Sequence, residues 1–196
     1  MAVATYLRST LAGLAAAATL LILGGCLPES ENPVGPADPA KTDARLWGSW
    51  LAEEEDGFSI AHVFALEDGR LQIAFAEHDV EGVGTIDTYE GHATHLPSGD
   101  YLNVLFTEDE RGYVIGKYEF SGTNQVSIAF VSSQVLEQAI KDGKLKGTIT
   151  PETGGNDVRV TATSEEWQAY LASAPSGLFG EPSSFNRVGP AYVEQQ

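Results

Sequence analysis

The sequence predicts a mainly β protein: a single antiparallel meander of about eight strands that closes into a barrel or curls strongly, with two short helices packed on it. Three observations support this fold class. Apolar and polar residues alternate along successive segments, Gly, Pro, Asn and Asp separate the segments, and no crossover helix interrupts the first seven. Consecutive strands joined by short turns pair antiparallel, and eight such strands tend to close.

The clearest predicted element is a hairpin near the start of the folded domain. An Asp68-Gly69 turn joins two runs in which apolar residues recur at every second position. We expect these rows to face the interior: Phe58, Ile60, His62, Phe64 and Leu66 in the first run, and Leu71, Ile73 and Phe75 in the second. The other candidate strands are LWGSWLA before the hairpin and, after it, TIDTYEGHATHL, YLNVLF, GYVIGKYEF, QVSIAFV and DVRVTAT.

Two segments have helical spacing. SSQVLEQAIKDG ends at Gly143, a residue typical of a helix C-terminus, and TSEEWQAYLASAP opens with Thr163 and Glu166, the pattern of a capping box. The apolar residues of each segment lie on one side, which predicts that both helices pack on the sheet: Val135, Leu136, Ala139 and Ile140 in the first, and Trp167, Tyr170, Leu171 and Ala174 in the second.

The N-terminus predicts export. Residues 1–25 carry one charge, Arg8, followed by an alanine-rich apolar run and small residues, which is typical of a signal peptide. The run from Leu11 to Leu23 is too short for a comfortable transmembrane helix.

The end of this segment, Leu23-Gly24-Gly25-Cys26, resembles the lipobox of bacterial lipoproteins. The resemblance implies cleavage before Cys26, a thioether from its sulfur to diacylglycerol, and an acylated amine, with palmitate-like chains as the membrane anchor. Two or three acyl chains hold a protein stably on a membrane. Because Leu27 and not aspartate follows the cysteine, the resemblance also implies the outer membrane, with the domain facing the periplasm.

The chain divides into three predicted regions. Residues 1–25 form the removed signal peptide, residues 26–44 form the lipidated cysteine and a disordered Pro-rich tether, and residues 45–196 form one β-rich domain. Cys26 is the only cysteine, so the domain contains no disulfide and depends on its hydrophobic core.

The charge of the chain excludes one class of partner. Removal of residues 1–25 takes away one arginine and no acid, which leaves 10 basic and 28 acidic side chains and a formal charge of −18. Such a surface repels nucleic acids and anionic lipid headgroups. We therefore expect no nucleic-acid binding, and contact with the membrane only through the acyl chains.

The first candidate strand contains a short motif. Gly48-x-Trp50 resembles the G-x-W signature of lipocalins, in which the tryptophan closes one end of an eight-stranded barrel. The resemblance implies a barrel-like shape and an interior that binds a small apolar or amphipathic ligand. The chain departs from the family pattern: Asp87-Thr88-Tyr89 is the closest match to a threonine-aspartate-tyrosine segment and lies too early, and a helix precedes the predicted eighth strand.

The sequence predicts no catalytic, cofactor-binding or metal-binding residue. His92 and His95 are three apart on a predicted strand and would face opposite sides, so they would not chelate one ion. Glu90 and His92 share a face, which fits a base and its orienting carboxylate or a surface hydrogen-bonded pair. His62 lies in an apolar row, which favours a partly buried residue with a backbone partner.

Two acidic runs and one lysine cluster are each explained by the local structure, and each has one functional alternative. The acidic runs at 53–56 and 108–110 fall in expected turns and lack the ligand spacing of an EF-hand, although calcium binding is the alternative. Lys141, Lys144 and Lys146 follow a helix C-terminus, where cations are favourable, and contact with lipopolysaccharide phosphates is the alternative.

Three hypotheses for function remain open. The first is a lipid-anchored, non-catalytic envelope protein whose interior binds a small apolar molecule, which requires a cavity of roughly 300 Å³. The second is a structural or protein-interaction module with an exposed apolar patch, expected in the tail LFGEPSSFNRVGPAYV. The third is a hydrolase, which requires His62, His92 or His95 to converge with a carboxylate.

Overall fold

The computed structural model describes residues 27–54, 57–79, 82–106, 112–152 and 155–189. Eight of its eleven strands form a closed antiparallel barrel in the order β2-β3-β4-β5-β6-β7-β8-β11, and β11 pairs with β2 to complete the ring. The predicted fold class is confirmed. The strands are β1 Glu29–Ser30, β2 Gly48–Glu54, β3 Gly57–Ala65, β4 Leu71–Asp79, β5 Gly82–Leu96, β6 Gly99–Leu105, β7 Tyr113–Ser121, β8 Gln125–Phe130, β9 Gly147–Glu152, β10 Gly155–Val160 and β11 Ser183–Val188.

The strand that closes the barrel differs from the predicted one. DVRVTAT begins within β10, which pairs with β9 as a hairpin outside the barrel and with β1 beside β7. The closing strand is β11, from the tail that the sequence suggested as an exposed patch. Only Phe185 in this strand is a large buried apolar residue, whereas Val188 is exposed. A period-two signal from one inward residue is too weak to identify a strand.

The inward row of β3 also differs from the expectation. Phe58 and Phe64 are exposed on the outer surface, while Ala61 and Val63 line the interior. Alternation along a strand defines two faces but does not say which one is inside. Both faces of β3 carry apolar residues, and the prediction that the row with the larger aromatic side chains faces inward is wrong. In β4, the predicted inner row of Leu71, Ile73 and Phe75 is buried and is confirmed.

The protein has two hydrophobic cores separated by the barrel wall. One core fills the barrel and includes Trp50, Phe75 and Phe185. The other lies outside β6 and β7, under the helices α1 (Ser133–Lys141) and α2 (Ser164–Leu171) and the β9–β10 hairpin. Both predicted helices are present, and α2 begins with the capping box of Thr163 and Glu166. The outer core covers one side of the barrel exterior.

Residues 27–46, which we call the strap, lie against the barrel, unlike the expected disordered tether. The strap contains β1 and two short 3-10 helices, Pro39–Lys41 and Ala44–Leu46. Val34 is fully buried in the outer core, and its N–H donates to Asn103 Oδ1 at 2.7 Å. Gly69, in the β3–β4 turn, has a φ of +83°, and a Cβ there would lie 2.5 Å from the Pro39 nitrogen.

The reason for this difference is that the polar partners of the strap are distant in sequence. Asn103 is 0 % exposed and also donates from Nδ2 to the carbonyl of His92 and to Thr94 Oγ1. Gln168 donates to the Val34 carbonyl, and Ser164 donates to the Pro33 carbonyl. The composition of the strap predicts disorder. In the structure, the strap is ordered because side chains of β6 and α2 form hydrogen bonds with its backbone N–H and C=O groups.

Replacement of Asn103 by alanine is expected to lower the free energy of unfolding by about 1–3 kcal/mol, because the buried N–H of Val34 loses its acceptor. Hydrogen exchange at the Val34 amide should accelerate together with proteolysis of the strap, both measured by mass spectrometry. The control is Asn186→Ala, because Asn186 is exposed on β11. Unchanged exchange at Val34 in Asn103→Ala would show that the strap is not held by this contact.

Candidate functional site: the barrel interior and its uncovered outer face

The barrel encloses an apolar cavity of about 110 Å³. Its wall consists of apolar and aromatic residues, among them Leu46, Trp50, Ala61, Ile73, Phe75, Tyr89, Leu102, Phe106, Phe130 and Phe185. The volume is about a third of the roughly 300 Å³ at the lower end of small-molecule sites. Side chains therefore fill most of the barrel, and the remaining space suits a molecule of only a few carbon atoms.

One end of the barrel is closed by a tryptophan. At the end where β2 begins, Trp50 Nε1 donates to the Leu46 carbonyl at 2.8 Å, and the guanidinium of Arg187 lies 4.0 Å from the Trp50 ring centroid. Gly48 begins this strand with a φ of +115°. The cavity lining also includes Leu27, the first described residue of the strap. The residue next to the predicted lipid attachment point therefore contacts the barrel interior.

An apolar strip runs across the outer face of β2, β3, β4 and β5. We define it by the ladder Leu51, Ile60, Ala76 and Ile86, in which each residue pairs with the next, together with Phe58 and Phe64. Ile86 is 69 % exposed and Phe64 is 56 % exposed. The Phe58 ring stacks on His78 with centroids 4.6 Å apart. The helices and the strap cover β6 and β7, whereas nothing in the described part of the chain covers this strip.

The histidines named by the sequence do not converge. His62 is exposed and bonds through Nδ1 to Ser49 Oγ at 2.8 Å. His92 is buried against the Gly35 carbonyl, and His95 bonds to Asp100 and to the Lys41 carbonyl. Each of the three has its own partners, so no pair of histidines forms a shared catalytic or metal-binding centre.

Glu90 and His92 are also separated. Glu90 forms an ion pair with Arg70, and the described contacts of the His92 ring are with the strap and the edge of Tyr113. The suggested base and orienting carboxylate are therefore not a pair. Neither residue lines the apolar cavity.

A cluster of Asp43, His95 and Asp100 brings ligand atoms within 4.8 Å of one another. Sequence reasoning missed it because Asp43 lies in the presumed tether. Asp43 is buried and accepts bonds from Arg45 at 2.7 Å and from the Tyr118 hydroxyl at 2.9 Å. Burial alone would raise the pKa of Asp43, but these hydrogen bonds hold it below its usual value. Arg45 also lies 3.6 Å from Asp100, so a guanidinium supplies the positive charge that a metal would bring.

The same network fixes the strap to the barrel end. Burial, followed by the charge of Asp43, raises the pKa of Tyr118, so its hydroxyl stays protonated and donates. Arg45 also lies over the ring of Phe120, 4.5 Å from its centroid. Asp43 is buried, and its two carboxylate oxygens already accept hydrogen bonds from Arg45 and Tyr118, although the Arg45 side chain itself is 58 % exposed.

Burial of His92 predicts that stability depends on pH. Burial lowers the pKa of His92 below 6.5, partly offset by the hydrogen bond to Gly35, so the folded state binds fewer protons than the unfolded state. The contribution of His92 is therefore complete above pH 6.5 and is lost as pH falls from 6.5 towards the folded pKa, at no more than about 1.4 kcal/mol per pH unit. Urea denaturation from pH 7.5 to 5 should show this loss in the wild type.

The matched variants are His92→Gln and His62→Gln. Glutamine keeps a donor for the Gly35 carbonyl but does not titrate, so His92→Gln should lose part of the pH dependence. His62→Gln, at an exposed site, should retain it. Equal pH profiles for the wild type and His92→Gln would exclude His92 as the titrating group.

The lysine cluster is paired with acids. Lys141 forms an ion pair with Glu137, Lys144 with Asp142 at 2.9 Å, and Lys146 with Glu166. These exposed pairs reduce the charge available to a phosphate. Of the two acidic runs, residues 55–56 and 108–110 lie outside the described residues, as do Leu23, Gly24, Gly25 and Cys26.

No helix within the described ranges is long and apolar enough to cross a membrane. Comparisons of the chain with protein-family models, with curated proteins and with solved structures find no match.

Proposed function

We propose that this chain is a non-catalytic lipoprotein of the bacterial envelope, anchored through acyl chains on Cys26, whose barrel is a protein-interaction module. The observation that carries the proposal is the uncovered apolar strip of β2–β5. The largest apolar patch on the surface of a monomeric protein is about 300–600 Å² and is often a contact site. The strip lies on the barrel wall and not in the C-terminal tail, where the sequence had suggested such a patch.

The interior and the histidines support this choice over the other two hypotheses. A cavity of about 110 Å³ is too small for a drug-sized ligand. A hydrolase would require a histidine and a carboxylate in one cleft. The three candidate histidines bind Ser49, Gly35 and Asp100 at separate places, and the His95–Asp100 pair belongs to the network with Arg45.

The location that we propose is the periplasmic face of the outer membrane, because Leu27 follows the lipobox-like sequence. The position of the strap affects the distance between the lipid anchor and the barrel. Because residues 27–46 lie on the barrel, no long flexible spacer separates Cys26 from the fold. The anchored barrel would therefore stand directly at the membrane surface.

The test is the size of the native assembly. Protein solubilised in mild detergent from its own membranes should migrate above the monomer mass, and Ile86→Ser combined with Phe64→Ser should return it to monomer size. Both side chains are exposed, so thermal stability should stay within about 0.5 kcal/mol of wild type. The control is Ile149→Ser on β9, outside the strip. Monomeric wild-type protein in the membrane extract would contradict the proposal.

A second candidate function rests on the cavity itself, which is wholly apolar and therefore suited to a small apolar molecule. Native mass spectrometry of wild-type protein from its own membranes should then show added mass. Ala61→Leu should abolish the added mass, because Ala61 lines the cavity and a larger side chain fills it. Wild-type protein without added mass, and without xenon or benzene binding in solution, would exclude this candidate.

A further inference from the structure

We propose, building on the interaction module inferred above, that the partner of the apolar strip is a protein surface with an apolar centre surrounded by lysine and arginine residues. The size of the strip is the first reason. Four strands span about 14 Å, and the stretch of β3 from Phe58 to Phe64 spans about 20 Å, so the strip lies within about 280 Å² of surface that also includes the exposed His62. A stable interface buries about 800 Å² on each side. The strip therefore supplies the centre of an interface, and the surface around it must supply the rest.

The segment that forms the strands of the strip is strongly acidic in sequence. Residues 48–96 contain 11 acidic side chains and one basic side chain, a formal charge of −10 out of −17 for the whole chain. The one basic residue, Arg70, is already paired with Asp68 at 2.7 Å and with Glu90. This segment therefore carries more than half of the net negative charge of the chain and has no unpaired basic side chain among its described residues.

Two carboxylates lie directly beside the strip. Glu53 is exposed on β2 opposite Phe58, and Glu67 is exposed in the β3–β4 turn, three residues after Phe64. Neither carboxylate has a cationic partner among the residues that the structure describes. A partner with basic residues around its contact patch would pair with these charges and gain attraction over a long range.

The same charge argues against the two other occupants. A second copy of this chain would bring its own acidic segment 48–96 against another of the same sign. An anionic lipid surface would be repelled in the same way. A basic protein is the occupant for which both the apolar strip and its surroundings are complementary.

The experiment places a photo-crosslinking amino acid at Ile86 of the full-length protein in its own cells, with Thr150 on β9 as the matched exposed control. We expect one major adduct at position 86 and none at 150. Mass spectrometry of the adduct should identify a single protein whose crosslinked peptide is flanked by lysine or arginine.

Charge sensitivity is the decisive readout. In isolated membranes, raising NaCl from about 0.05 M to about 0.5 M shortens the Debye length from roughly 14 Å to roughly 4 Å and should reduce the adduct about fivefold. Glu53→Lys combined with Glu67→Lys should reduce it by a similar factor at low salt, whereas Glu152→Lys combined with Thr150→Lys should not.

Three outcomes would overturn the inference. An adduct with a second copy of the chain or with lipid would give the strip a different occupant. A single protein adduct that is insensitive to salt and to charge reversal would leave the interaction module standing and remove the basic partner. No adduct at position 86, together with a monomeric wild type in the membrane extract, would remove both.

Discussion

Replacement of Cys26 by serine is expected to release the full-length protein from the membrane fraction, with a decrease of at least about tenfold in the amount that sediments after alkaline carbonate washing. Serine has no sulfur for the thioether, so the diacylglycerol is lost. Each buried methylene contributes about 0.8 kcal/mol, and two or three chains make anchoring effectively stable, so no other contact of a strongly acidic domain replaces them. Incorporation of an alkyne-labelled palmitate should also disappear.

The control for this experiment is Ser9→Ala, in the same N-terminal segment, which should leave both fractionation and labelling unchanged. The carbonate wash removes protein that is held only by a partner at the apolar strip. If Cys26→Ser still sediments with washed membranes to the same extent, the lipid anchor and the envelope location that depends on it are both wrong. Loss of membrane binding with retained folding, measured by circular dichroism, would confirm that the anchor acts independently of the barrel.

Replacement of Phe185 by alanine is expected to lower the free energy of unfolding by about 3–5 kcal/mol, because a large aromatic side chain is removed from a core that already contains a void. Phe185 lies on β11, opposite Val126 of β8, so the cavity would form on the strand that closes the barrel. For a small domain this loss is a large part of the total stability. Chemical denaturation monitored by tryptophan fluorescence measures it.

The matched variant is Phe64→Ala, which removes the same side chain from the outer face of β3. Because Phe64 is more than half exposed, its loss should change the stability by no more than about 0.5 kcal/mol. The opposite ranking, with Phe64 costly and Phe185 neutral, would mean that the predicted inner row of β3 is correct and that the tail does not close the barrel.

The elements of this fold were predictable where the local signal is strong. The hairpin at Asp68-Gly69, the capping box at Thr163 and the run of seven β strands all follow from residues close together in the chain, and the structure contains each of them. Turn residues and side-chain periodicity depend only on residues close together in the chain, so they can be recognised in a single sequence.

The candidate site was only partly predictable. Three of the six residues of the strip, Phe58, Ile60 and Phe64, had already been grouped on one face by the sequence analysis, but were placed inside the barrel. The alternation along β3 correctly predicted that these three side chains lie on the same face of the sheet. The inner face of β3 is built from Ala61 and Val63, and the choice between the two faces depends on how the neighbouring strands curve around the core.

The sequence by itself determined the acidic charge, the strand and helix types and a barrel-like class, because each depends on composition or on short-range pattern. Export and lipid attachment stay predictions from the N-terminal pattern. Only the tertiary structure decided that β11 closes the barrel, that the strap is held by Asn103 and Gln168, and that the aromatic row of β3 faces outward. These features depend on contacts between residues far apart in the chain. Their energies come from packing and from buried hydrogen bonds that no single segment contains.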